Sequence, residues 1–354
     1  MKNYVIIGDG LSVHLLKWVH ELVKYYNVSV ISSTGLHHDF IKLLPACNLF
    51  ALGREIKQNG GNAGILQSVF RVRSILQKLN PDFVNAHYIT SHGLLSAIVR
   101  QMPGKRFILI QSAWGTDILV APFINKLYNL ATRYSLGKAE LITSDSAFMT
   151  GVIQGLCNVP VLTFTFGLNK LPEYNPAKKE SGLYFSNRAL SSNYNIDEVL
   201  RFFAHIASSD PQARLVVAHD GEDRQPLVEL CHQFHIAERV KFVGFLNADE
   251  QSGMYKKAEF YISLPTSDST SVSLLEAMAY GCIPIVSDIP ANREWVEDGI
   301  GGMIYSPSIT SSRLYAMRSR GNEIAVFNRR IISEKAIFPD SMQRFSLYLS
   351  EHFG

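Results

Sequence analysis

The sequence predicts an α/β protein built from two Rossmann-like, doubly wound domains facing a cleft. Three observations predict it. Short apolar runs alternate with helix-period segments along nearly the whole chain, which implies parallel sheets with helices on both faces. The chain has 354 residues, enough for two domains with full-sized cores. Between the halves lies FTFGLNKLPEYNPAKKESG (164–182), with two prolines, several lysines and little periodicity, as expected of a linker. The expected layout is an N-terminal domain over 1–165, a linker over 166–182, a second domain over 183–337, and a final helix over 338–354 packing back on the first domain. In such domains a ligand lies at the C-terminal ends of the strands.

Each element follows in order. YVIIG is strand-like and leads into the helical SVHLLKWVHELVKYY, in which Val13, Leu16, Val19, Leu22 and Val23 are placed on one face. VSVIS reads as the second strand. GILQSVFRVRSILQKL precedes the strand DFVNAHY, HGLLSAIVRQM precedes RFILIQSA, and PFINKLYNLATRYSLGKA precedes LITSDS. In the second half GLYFSN, ARLVVAHD, VKFVGF, EFYISLP and IPIVSD are strand-like, with helical segments between most of them. The basic stretches MRSRG and NRRIISEK read as solvated faces of late helices.

Composition bounds the function classes. Hydrophobic residues make up 47% and charged residues 18%, an ordinary globular balance. No apolar run approaches the ~18 residues of a membrane span. MKNYVIIGDG reads as a first strand and turn rather than a signal peptide. Cys47, Cys157, Cys231 and Cys282 show no paired spacing, which fits reduced thiols in a cytoplasmic protein. The net charge of +3 hides an asymmetry: residues 1–165 hold 15 Lys and Arg against 8 Asp and Glu, and 166–354 hold 19 against 23. A basic first half could favour an anionic partner such as a lipid phosphate, a membrane surface or nucleic acid, or reflect chance on a solvated surface. GILQSVFRVRSILQKL is one candidate amphipathic contact, with Arg71, Arg73 and Lys78 near its polar side; a packed surface helix is the alternative. Nucleic acid is not expected as a partner.

Two stretches carry chemistry. In IIGDGLSVH, Gly8 and Gly10 follow a strand and open a helix, which suits close approach of a phosphate or sugar to the backbone. Val13 stands where a dinucleotide fingerprint wants a third glycine, and VSVISS offers no acid for a ribose. A polar ligand other than NAD, or a purely structural turn, therefore fits better. SDSTSVSLLEAMAYG (267–281) places good N-cap types, Ser269, Thr270 and Ser271, before an apolar helix ending near Gly281. The free N–H groups and dipole of such a helix start suit a diphosphate. Thr270, Ser271 and Ser273 add hydroxyls. Glu276, about one turn in, could accept both hydroxyls of a ribose diol, and Asp268 would face another part of the ligand. An N-capped core helix is the structural alternative. Cys231, His232 and His235 in ELCHQFH lack a fourth ligand, so no metal site is assigned there.

The 267–281 stretch, continued by CIPIVSD and IPANREWVEDGIGG, resembles the donor-site signature of retaining family 4 glycosyltransferases, which have the GT-B fold. Their motif is Glu-x7-Glu followed by Ala-Met-Ala and a glycine; here Asp268 and Glu276 keep the spacing. The resemblance covers most of the chain. PDFVNAHY is similar to the family's "PDIVHAH" strand, AWGTD to its "HGxD" turn, RVKFVGFL to its "RVxFxGxv" segment with Gly244, and SNRALSSNYN to its "GRLxxxKG" segment.

The resemblance implies roles. Glu276 would bind the nucleotide ribose. Asp268 would hold donor-sugar hydroxyls and orient the anomeric centre. The amides around Val272 and Ser273 would bind the diphosphate. Gly10 and Gly244 would also line the donor, and Gly8, His87, Trp114 and Asp117 the acceptor. Arg188 matches the cation that neutralises the diphosphate, but the family's lysine position is Tyr194. Charge stabilisation would rest more on Arg188 and the helix dipole, because a phenol does not replace a point charge. Trp114 in place of a usual His and Ser271 in place of a usual Gly complete what resembles a coherent Asp-x7-Glu variant. His87 could serve an acceptor or a donor phosphate, or be a satisfied strand-end histidine. Asp117 could bind acceptor hydroxyls or cap the next segment, and Trp114 could stack on a ligand or lie in the core.

The expected function is transfer of a sugar, with retention and without metal or other cofactor, from a nucleotide-diphosphate sugar to a saccharide or lipid-linked saccharide. A front-face mechanism would let the leaving diphosphate help deprotonate the acceptor. The expected location is cytoplasmic, with the inner membrane face as a further option. The rivals are a GT-B nucleotide-sugar epimerase or phosphorylase, and a non-catalytic saccharide-binding homologue.

Overall fold

The computed structural model describes residues 1–54, 62–104 and 106–354. Two compact units emerge, Met1–Phe164 with Pro339–Gly354, and Thr165–Phe338.

The first unit holds one sheet of β1 (Asn3–Gly8), β2 (Asn27–Ser32), β3 (Leu49–Ala51), β4 (Phe83–His87), β5 (Ile108–Ser112), β6 (Leu141–Ser144) and β7 (Val161–Thr163), in the order β3-β2-β1-β4-β5-β6-β7. Every pairing is parallel. Buried parallel strands read as continuous apolar runs, as YVIIG does. The strands β3 and β7 were not foreseen, because three residues are too few to show a pattern. The strand order reverses between β1 and β4, and this puts a crevice at their C-terminal ends, Gly8 and His87.

The first helix, Val13–Leu22, is N-capped by Ser12. Its buried face is Leu15, Trp18, Val19 and Leu22, and Val13 is 63% exposed. The predicted face is therefore rotated. Trp18 fixes the rotation, packing its indole against His87, Phe164 and Phe345 with ring centroids 4.8 to 5.7 Å apart. Phe345 belongs to the terminal helix Phe338–Phe353, which buries Met342, Phe345 and Leu349 at helical spacing.

The second unit holds β8 (Glu180–Ser186), β9 (Arg214–Ala218), β10 (Val240–Gly244), β11 (Ala258–Ser263), β12 (Ile283–Val286) and β13 (Met303–Ile304), in the order β10-β9-β8-β11-β12-β13. These pairings are also parallel. The reversal lies between β8 and β11, where stacked Tyr184 and Phe260, 4.7 Å apart, fill the core. Strand β8 starts at Glu180, inside the segment expected to be linker. Leu168 pairs with Ile337 in an isolated bridge. A Cβ on Gly167 would sit 1.9 Å from the carbonyl oxygen of Ala336, so only glycine admits this approach.

The late arginines are not merely solvated. Arg318 bridges Asp210 at 3.2 Å and Glu259 at 3.0 Å. Arg329 donates to the carbonyl of Ala279, at the C-terminal end of the helix that carries the 267–281 motif, where a cation complements the dipole.

Candidate functional site

In the second unit, the crevice at the ends of β8 and β11 is built by two loops. Beyond β8, Asn187 is buried. Its side chain donates to the Tyr255 hydroxyl at 2.8 Å and accepts from the Tyr261 hydroxyl at 2.9 Å. This anchors the residue just before Arg188. Beyond β11, Asn193 and Asn195 tie the loop down: Thr266 N donates to Asn193 O at 2.8 Å, Asn193 Nδ2 to Ser267 O at 3.1 Å, and Asn195 Nδ2 to Leu264 O at 2.9 Å. The same turn carries Tyr194.

These constraints gather four side chains. Arg188 Nη2 donates to Asp268 Oδ2 at 2.7 Å, and Nη1 donates to Ser271 Oγ. The guanidinium lies over the Tyr194 ring, 4.4 Å from its centroid, a cation–π geometry. Burial works against the Arg188 charge; the Asp268 carboxylate outweighs it, helped by Tyr261 and Tyr194, and holds the pKa above its ordinary value.

Ser271 is the N-cap of the helix Val272–Ala279, its Oγ accepting from Leu274 N at 3.3 Å. Ser269, Thr270 and Ser271 are buried, and Val272 and Ser273 are half-buried at the first turn. Asp268 Oδ1 accepts from Ser269 N at 3.0 Å. One turn into the helix, Glu276 Oε2 accepts from Gln251 Nε2 at 2.9 Å. A fixed cation, a capped helix start and a carboxylate on the same helix are what an anion bearing a diol requires. Gly244 ends β10, separated from β8 by β9. Its φ of +71° explains the glycine, and its carbonyl accepts from His219 N at 2.6 Å.

The remaining candidates form a second constellation, in the first unit at the ends of β1, β4 and β5. His87 is buried, and its Nδ1 accepts from Trp114 Nε1 at 3.2 Å, which leaves the proton on Nε2. That Nε2 is buried and has no hydrogen-bond partner among the described residues. His92, which the sequence did not single out, donates from Nδ1 to the His87 carbonyl at 2.7 Å, and its Nε2 also has no partner among the described residues. Burial pushes the pKa of His87 well down and that of His92 to about 4. Trp114 is half-buried beside His87 and His14.

Asp117 is buried, with Oδ2 accepting from Ile89 N at 2.8 Å and Oδ1 from Trp114 N at 3.0 Å. Its carboxylate thus ties the segments after β4 and β5 together, from inside the short helix Thr116–Leu119, whose N-cap is Gly115. The Gly10 N–H has a partner within the first unit. That N–H donates to Ser32 Oγ at 2.8 Å, its carbonyl accepts from His37 N, and a Cβ would lie 2.6 Å from Gly35 O. Gly8 likewise serves packing, with Leu15 and His87 where its Cβ would be. Cys231 lies in the core, with its pKa raised to about 11 by burial. Among the described residues, the side chains grouped closely enough to share a metal ion are instead His37, His38 and Asp39.

Residues 5–146 match the family model described as Glycosyl transferase 4-like, and residues 169–316 match Glycosyl transferases group 1. The chain belongs to the family 4-like glycosyltransferases of GT-B fold. It is 25% identical over 246 residues to the N-acetyl-alpha-D-glucosaminyl L-malate synthase of Bacillus anthracis, covering 66% of this chain and 64% of that protein. It is 32% identical over 116 residues to the alpha-monoglucosyldiacylglycerol synthase of Streptococcus pneumoniae, covering 33% and 26%. The chain thus aligns with less than two thirds of the length of these relatives. The crystal structure of Anabaena HepE in complex with UDP matches with a TM-score of 0.77 and 17% identity, over 99% of this chain and 100% of that one; that likeness concerns the fold. Against the family pattern, the chain carries Tyr194 at the lysine position, and the structure uses that ring as a platform for Arg188.

Proposed function

We propose that the chain transfers a glycosyl group, with retention, from a nucleotide-diphosphate sugar to a hydroxyl of a saccharide or lipid-linked saccharide. The observation that carries this reading is Arg188, locked between Asp268 and Ser271 at the start of the Val272–Ala279 helix. The guanidinium and the first-turn amides would receive the diphosphate. Glu276 would take the ribose diol. Asp268, now paired with Arg188, would turn part of its hydrogen-bonding capacity to the sugar hydroxyls once the diphosphate shares the cation. With Arg188 and the helix start carrying the charge, the reading needs no metal. The half-buried first turn supports an anion site, since donors there act in reduced dielectric.

No side chain of this set is placed as a dedicated base. The departing diphosphate oxygen would accept the proton of the acceptor hydroxyl on the face from which it leaves, which gives retention.

A thermal-shift series with UDP, GDP, ADP, TDP and their sugars tests the reading. A ligand at one hundred times its Kd stabilises the folded state by about 2.7 kcal/mol, so one nucleotide should stand apart. Turnover of the matching donor should then require an acceptor. No shift with any nucleotide would overturn the donor site, and donor conversion without acceptor would favour the epimerase or phosphorylase.

A further inference from the structure

The helix Lys126–Leu136 in the first unit is packed inside out. Its buried face holds Thr132 and Ser135 as well as Leu136. Ser135 Oγ donates to Ile89 O at 3.1 Å, and Gln111 Nε2 donates to Ser135 O at 2.9 Å. Three large apolar residues other than Leu136 point the other way. Leu127, Leu130 and Tyr134, at i, i+3 and i+7, share one outward face, with Leu127 74% and Leu130 67% exposed. The short helix Ala121–Ile124, which packs beside it, adds exposed Phe123 and Ile124, and Val120 precedes it, also exposed. A stripe of this kind on a folded protein marks an interaction surface.

Charge identifies the occupant. Residues 118–139 contain Lys126, Arg133 and Lys138 and no acid. Arg133 is braced by the Leu156 carbonyl at 2.8 Å, and Lys138 lies 5.4 Å from the Tyr134 ring centroid. The whole first unit carries 16 Lys and Arg against 10 Asp and Glu. A second copy seated face to face would set these cations against themselves, which is unfavourable. An anionic bilayer accepts the apolar stripe and the cations together, and aromatic residues such as Phe123 and Tyr134 suit its interfacial zone.

We propose that the face formed by Val120, Phe123, Ile124, Leu127, Leu130 and Tyr134 docks on an anionic lipid surface. It is distinct from the helix Val69–Leu79, where the sequence suggested such contact. There Val72, Ile75 and Leu76 face the core, Arg71 is held by the carbonyls of Ala51 and Leu52, and Arg73 by that of Pro103.

The test is co-sedimentation of the full chain with phosphatidylcholine vesicles, with and without phosphatidylglycerol. The wild type should pellet with the anionic vesicles and be released by high salt. Leu127→Ser/Leu130→Ser should weaken pelleting about tenfold or more, Lys126→Glu should weaken it too, and Phe70→Ser should not. Unchanged thermal melts establish that the variants fold, as expected of exposed sites. Failure of the wild type to pellet, equal pelleting with neutral vesicles, or undiminished pelleting of the double variant would overturn the proposal. So would a concentration-dependent dimer abolished by the same double substitution. The readout is independent of sugar transfer, so its failure leaves the donor site untouched.

Discussion

Replacing Asp117 by Asn should change stability in a pH-dependent way. The carboxyl is buried, and burial raises its pKa from 3.8 to about 6 despite its backbone hydrogen bonds to Ile89 and Trp114. Below pH 6 the folded chain holds a proton that the unfolded chain holds only below 3.8. Protonation therefore favours folding in that window, and the contribution is lost as pH rises through 6. Linkage puts it at about 1.4 kcal/mol at pH 5 and near zero at pH 7.5. Asparagine cannot titrate, so the stability gap between wild type and Asp117→Asn should widen by about 1.4 kcal/mol from pH 7.5 to pH 5. A gap of about 1–3 kcal/mol already at pH 7.5 comes from the amide group that must face a backbone N–H. His87 and His92 titrate in both proteins and drop out of the difference. Urea unfolding at the two pH values measures it. A gap that stays constant or narrows towards pH 5 would refute a raised Asp117 pKa.

Three further outcomes are expected. Asp268→Asn removes the partner of Arg188 and should lower the rate of sugar transfer about 100-fold or more, measured with the donor found by thermal shift; near-wild-type rates and donor KM would remove Asp268 from the mechanism. Tyr194→Phe keeps the ring under Arg188 and should hold nucleotide Kd within about threefold, whereas Tyr194→Leu should weaken it about tenfold, both read by calorimetry. Gly167→Ala drives a methyl into the Ala336 carbonyl and should cost about 3 kcal/mol in urea unfolding.

The fold class was legible because buried parallel strands write themselves as unbroken apolar runs. YVIIG, FILIQ and EFYIS needed no tertiary information. Strands such as Met303–Ile304 did not show, since two residues carry no period. The helix start at Ser271 was legible because capping is a local property. The hydrophobic face of the first helix was misread because apolar spacing alone did not reveal that Trp18 would claim the core. The inverted face at Leu127 and Leu130 was equally hidden: helical periodicity shows a stripe but not which way it points.

What sequence could not show at all is how Arg188 behaves, since Asp268 is 80 residues away and Ser271 is 83. From the sequence, Tyr194 was a lost lysine. In the fold it is a flat surface that, with Asp268 and Ser271, restricts one guanidinium to one orientation. A lysine would add charge but remain a flexible point cation, whereas a stacked arginine presents a fixed fork to phosphate oxygens. The exchange thus trades a second cation for pre-organisation of the first. If that trade is what sustains the site, Tyr194→Lys should not improve nucleotide affinity even though it restores the family residue. Tighter binding by that variant would show instead that the site lacks charge rather than order.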